Sequence, residues 1–209
     1  MTETPIDLNG PEIVTEGTGW FEQLGDQAEL DVTFTGFAEN RSDAVRELGL
    51  RMAAAEPALG LPALVVRNRR FWVHDEWRTD RVIGCRAGED LALTLTDPTG
   101  LERVLSAIVG AEPTGVHGPR WVLADPAVAQ REAQRRAVED ARQRAEGYAE
   151  ALGGRLGALR RLSDAPTHGG PVALAARDSM GGPDVRELGL EPEPVRVTAH
   201  CTISWTLVT

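Results

Sequence analysis

The chain has 209 residues, 42% of them hydrophobic, with 22 basic against 32 acidic side chains, a net charge of 22 − 32 = −10. That is enough apolar material for a sizeable core, which excludes disorder along the whole chain. The acidic surface repels phosphate backbones and anionic lipid, so no nucleic-acid partner is expected. All 22 basic residues are arginine. A GC-rich genome accounts for that bias, but it also excludes lysine Schiff-base chemistry, pyridoxal enzymes and a phosphate-binding loop with its lysine.

Residues 1–10 (MTETPIDLNG) read as a polar tail with neither a basic start nor an apolar run, so no export signal is expected. No run of about 18 apolar residues occurs, so no membrane span is expected either. The expected location is the cytoplasm, with Cys85 and Cys201 reduced. Two cysteines are too few for a disulfide scaffold or a cysteine-only zinc site. One bridge stays open if the strands carrying them are neighbours.

From residue 11 to 209 the chain reads as a single domain. EIVTEGTG at 12–19 is a short strand ending in glycines. At 27–37, Ala28, Leu30, Val32 and Phe34 alternate with Glu29, Asp31, Thr33 and Thr35, the period of a strand with one wet face. SDAVRELGLRMAAAEPAL follows at helical spacing, with Ser42 as its cap, Ala44, Val45, Leu48, Met52 and Ala55 on its apolar side, and Pro57 and Gly60 as its end. Strands are expected at 64–77 and 81–96, joined by a tight turn at Arg78-Thr79-Asp80. Asp97-Pro98 opens a short helix with Leu101, Val104, Leu105 and Ile108 inward, and 115–123 reads as strand.

The stretch DPAVAQREAQRRAVEDARQRAEGYAEAL at 125–152 is a long helix. Asp125 caps it, Pro126 sits where a first turn accepts proline, and Gly153-Gly154 stops it. Ala133, Ala137, Ala141, Ala145, Tyr148 and Leu152 form a small-residue stripe that packs on the domain's own sheet. The opposite face carries Glu132–Arg136, Arg135–Glu139, Arg136–Asp140 and Asp140–Arg144 as pairs four apart, an ordinary solvated wall. A strand at 155–162 precedes a Gly- and Pro-rich excursion at about 165–190, expected to be mobile. Val195 to Leu207 alternates without a break, as a strand deep in a sheet does. The order β-β-α-β-β-α-β-α-β-β predicts an α+β fold: a largely antiparallel sheet packed with one long and two shorter helices.

The densest ionisable cluster is His74-Asp75-Glu76. In a strand, His74 and Glu76 share a face and Asp75 does not, and no further partner is evident for acid–base work or a metal. His200 points outward and Cys201 inward, as packing. With no CxxC, neither Cys85 nor Cys201 carries a redox signal. Arg67, Arg69, Arg70, Phe71, Trp72 and Trp77 form a basic-aromatic patch, read as core on one face and oligomer contact on the other, since the net charge opposes nucleic acid. His117 and Ser106 have no triad partners. No catalytic, cofactor-binding or metal residue is assigned.

Several pieces in order resemble the SIMPL-domain family, the bacterial group of YggE-like proteins. They are GTG at 17–19, DQAELDVTFTG at 26–36, RVIGCRAGEDLALTLTDPTGLERVLSAIVGA at 81–111, the helix at 125–152 leading into GGRLGALRRLSD, and PVRVTAHCTISWTL at 194–207. The resemblance spans roughly 12 to 208. It implies a bacterial envelope location, an association with oxidative-stress tolerance and, for some members, ring-shaped homo-oligomers. It brings no catalytic machinery. Two departures stand out: the export signal, and Cys85 where the family often has an aromatic residue after the glycine at 84.

The expected function is that of a non-enzymatic structural or interaction protein that self-associates, without a cofactor. A module using the 165–190 excursion to hold an unidentified protein or small ligand is the second reading. An enzyme of unknown reaction around His74 and Glu76 is the third.

Overall fold

The computed structural model describes residues 11–164 and 190–209. The polar tail at 1–10 and nearly all of the excursion at about 165–190, with the binding role read into it, lie outside the described residues. In chain order the elements are β1 (Glu12–Leu24), β2 (Gln27–Ala38), α1 (Arg41–Leu59), β3 (Leu64–Arg78), β4 (Arg81–Leu95), a 3-10 turn (Pro98–Gly100), α2 (Leu101–Gly110), β5 (Gly115–Val122), α3 (Ala127–Ala151), β6 (Arg155–Asp164) and β7 (Pro194–Val208). The fold is α+β, with two antiparallel sheets where one was expected. The described residues group into two compact units, one holding β1, α3, β6 and β7 and the other β2 to β5 with α1 and α2.

The first unit has the sheet order β1-β7-β6. Its middle strand is β7, the one with the longest alternation: Val195, Val197, Ala199, Cys201, Ile203 and Trp205 are buried on one face. The buried row of α3 consists of alanine alone, at 129, 133, 137, 141, 145 and 149. A row at spacing four is inclined to the helix axis, which lets it follow a twisted sheet. The row therefore runs on to Ala149, and Tyr148 and Leu152, expected in the stripe, are exposed.

Only alanine and glycine fit because the two backbones touch. A Cβ built on Gly17 would stand 1.9 Å from the Ala137 carbonyl oxygen, and one on Gly19 would stand 2.2 Å from that of Ala133. Thr15 Oγ1 donates to the Ala141 carbonyl at 2.7 Å beside them. Asp125 accepts from the Ala127 N–H at 2.9 Å and the Pro126 carbonyl accepts from Gln130 at 2.8 Å, so the expected cap and first-turn proline both hold. At the other end Gly153 adopts φ 73°, a left-handed stop.

The second unit has the order β3-β4-β2-β5. β2 pairs with β4 without a slip from Ala28–Leu95 to Ala38–Cys85. Leu30, Val32 and Phe34 meet Leu91 and Leu93 in its core, with Leu48 and Met52 from α1 and Val104 and Ile108 from α2 among the buried side chains. Asn40, not Ser42, caps α1, accepting from the Asp43 N–H at 3.0 Å. Val45 is exposed. Pro57 sits inside the last turn without ending it. Gly60 ends it, its N–H reaching the Glu56 carbonyl at 2.9 Å. The β3–β4 turn is Thr79-Asp80, with Thr79 at φ 56°. Because β2 stops opposite Cys85, β3 and β4 run past it as a two-stranded ribbon. Among the described residues no helix is long and apolar enough to cross a membrane.

Candidate functional site

Strand alternation sends one set of side chains from β2, β4 and β3 to the face of the four-stranded sheet that lies away from the core. Its centre is Trp72, in register with Gly88. A Cβ on Gly88 would stand 2.1 Å from Trp72 Cζ2, so the indole lies flat on the glycine. Its Nε1 donates to Asp90 Oδ2 at 3.0 Å, and Thr33 Oγ1 donates to Asp90 Oδ1 at 2.9 Å. The His74 ring stacks on Trp72 with centroids 4.7 Å apart. His74 Nε2 lies 3.8 Å from Glu76 Oε2, which accepts from Arg86 Nε at 3.0 Å. The Arg86 guanidinium sits 5.5 Å from the Phe37 ring centroid. Beside this row lies a shallow cup of about 160 Å³, lined by Asp31, Thr33, Asn68, Arg70 and Asp90 among others.

His74 and Glu76 thus share a face, as their spacing required, and the structure brings them together. The arrangement is a chain of satisfied pairs: Arg86 already holds Glu76, and both oxygens of Asp90 are engaged. Asp75 points to the other face, where Arg41 Nη2 meets it at 3.0 Å and Cys85 Sγ donates to it at 3.4 Å. Those two bonds, the thiol's first and the guanidinium's second, hold the Asp75 carboxyl below the usual carboxylate range.

Burial pushes the Cys85 thiol up, and the Asp75 charge adds to it. Burial also pushes Cys201 up, opposed by a bond from the Gly17 backbone. Both cysteines are free and buried, on strands of different sheets, so the condition for a bridge between them is not met. Cys201 faces inward as the alternation required and, with Ala137, Val138 and Leu162, lines a cavity of about 190 Å³. His200 faces outward, its Nδ1 3.1 Å from Thr18 Oγ1.

The basic-aromatic patch divides differently from the expectation. None of its three rings is core: Phe71 and Trp77 are 58% and 62% exposed, and Trp72 lies half-buried on the open face. Phe71 is on the helix side of an edge strand, between Arg69 and Asp75, whose partners Glu56 and Arg41 belong to α1, and Trp77 lies in the ribbon that runs past β2. Arg69 pairs with Glu89 and Glu56, and Arg67 bonds Thr94. His117 lies in β5 opposite Asp31, and Ser106 is exposed on α2. Among the described residues no three His, Cys, Asp or Glu side chains gather as a metal site would need.

Two features escaped the sequence reading. Arg136 and Asp140 do not pair with each other; they turn to β1, where Asp140 accepts from the Thr18 N–H at 3.0 Å and Arg136 donates to the Trp20 carbonyl at 2.9 Å. The seat of Trp72 on Gly88 was also missed, although a glycine in mid-strand signals a close approach of some group.

The fold defines an α+β protein of two antiparallel sheets, one carrying an all-alanine helix and the other an open polar-aromatic face. The profile of the SIMPL family, described as a protein of unknown function (DUF541), matches residues 13–205. The chain belongs to that family. No curated protein matches it.

Proposed function

We propose that this protein acts without catalysis, as an interaction protein that associates with copies of itself. The observation that carries the reading is the projecting β3–β4 ribbon. A two-stranded ribbon has no third strand to share its apolar side chains, and this one exposes Trp77, Val82 and Ile83, with the exposed Phe37 ring beside Gly84. Large exposed apolar groups clustered at one place favour a protein contact over water. The raised thiols give no support to a redox role. The His74–Glu76 pair is held as structure by Trp72 and Arg86.

The test is absolute mass, by size exclusion with light scattering over a range of concentrations. A discrete oligomer is expected, weakened by Trp77→Glu without loss of fold. A monomer at high concentration, with or without that change, would sink the reading.

A further inference from the structure

Each sheet has two edges, and among the described residues three of the four are interrupted along their length. The outer edge of β1 is occupied by Asp140 and Arg136 of α3, which bond its N–H and carbonyl groups. β5 carries Pro119, which has no N–H to offer, and its pairing slips between Glu29 and Asp31. β6 slips twice, at Leu156/Leu159 and Leu159/Arg161. Such interruptions are how sheets avoid pairing with strangers. β3 is different. Between its two irregularities it keeps one register with β4 from Asn68 to Glu76, with neither proline nor glycine. Among the described residues no strand pairs with its outer side.

The charges on this open edge are arranged by halves: Arg69 and Arg70 come first, Asp75 and Glu76 last, with Phe71, Trp72 and Val73 between. We infer that β3 pairs antiparallel with β3 of a second copy, about a two-fold axis at Val73. An axis perpendicular to the sheet keeps each residue facing one of the same sheet face, so partners sum to an even number, here 146. Arg70 then stands opposite the partner's Glu76, and Trp72 opposite the partner's His74. The two Val73 residues face each other. Arg70 is exposed and, although it stands opposite Asp90 on β4, makes no ion pair among the described residues, so a pair with the partner's Glu76 is a new contact. The unpaired backbone groups supply hydrogen bonds, and the alternation supplies specificity, as in strand addition generally. A parallel pairing would set arginine against arginine.

This inference rests on the self-association proposed above, and the experiment separates the two. Val73→Cys places two thiols on Cα atoms about 5 Å apart in the paired state, within the span a disulfide needs. Under mild oxidation the full-length variant is expected to form a covalent dimer, while Val65→Cys, at a more exposed position on the same strand, does not. In the wild-type background, Arg70→Glu, which sets like charges against the partner's Glu76, is expected to weaken association about tenfold or more. An oligomer that persists while Val73→Cys fails to cross-link, or that cross-links equally at 65, overturns the β3 pairing and leaves self-association standing. A monomer throughout overturns both.

Discussion

Gly17 lies directly beneath the carbonyl oxygen of Ala137, so close that a methyl group at Gly17 would come within 1.9 Å of it. Helix and strand are in backbone contact there, and Gly19 repeats the contact one step along, against Ala133. Gly17→Ala must push α3 off β1, stretching the Thr15–Ala141 bond beside it. The expected loss is about 1–3 kcal/mol, the usual cost of overpacking, and chemical denaturation would measure it. Thr18→Ala, on the outward face between the glycines, is expected to cost clearly less. Equal losses at the two positions would mean that α3 is not the reason for the glycines.

Trp72 and Gly88 make the same argument on the open face. Gly88→Ala is expected to lift the indole, break its bond to Asp90 and unstack His74, with a red shift of tryptophan emission as the readout. Trp72→Phe keeps most of the ring and loses the bond to Asp90, so it is expected to cost about 1 kcal/mol. His74→Ala is expected to leave the fold nearly intact, because His74 is more than half exposed.

Acid should destabilise the first unit through two carboxylates of α3. Hydrogen bonds from Arg135 and then Arg136 lower Glu132 from 4.5 to about 2. The Thr18 backbone N–H, the largest cause, lowers Asp140. A carboxylate with a depressed folded pKa stabilises fully above its unfolded value and loses that contribution as the pH falls through the folded one. The contribution of both is therefore complete above about pH 5 and fades toward pH 2. Asp140→Asn removes one titration. Its stability deficit relative to wild type, measured by urea unfolding, should be largest above pH 5 and shrink toward pH 2. A deficit that stays constant with pH would rule Asp140 out as the source.

The thiols provide a simple check of burial. Cys85 and Cys201 are both buried with pKa values pushed up, so neither is expected to react with a thiol reagent at pH 8 in the native protein, while both react in denaturant. Rapid native labelling of Cys85 would show that the Asp75–Arg41 cover opens.

The sequence by itself determined the elements and their faces. Period-two alternation names the buried side of β2 and β7 residue by residue, because a side chain's face in a strand depends only on its position in the run. The same rule put His74 with Glu76 and sent Asp75 away. The short helix α2 was legible for the matching reason: Leu101, Val104, Leu105 and Ile108 fall on one helical stripe and are its buried residues. Tertiary structure decided what each face meets. That Gly17 and Gly19 serve α3, that Asp140 abandons Arg136 for the Thr18 N–H, and that Trp72 rests on Gly88 all depend on pairings between residues 16 to 122 positions apart. Local propensity carries no term for such pairings. Nor does local pattern say which strand lies at an edge or runs past its neighbour, which is why Phe71 and Trp77, hydrophobic enough for a core, are exposed.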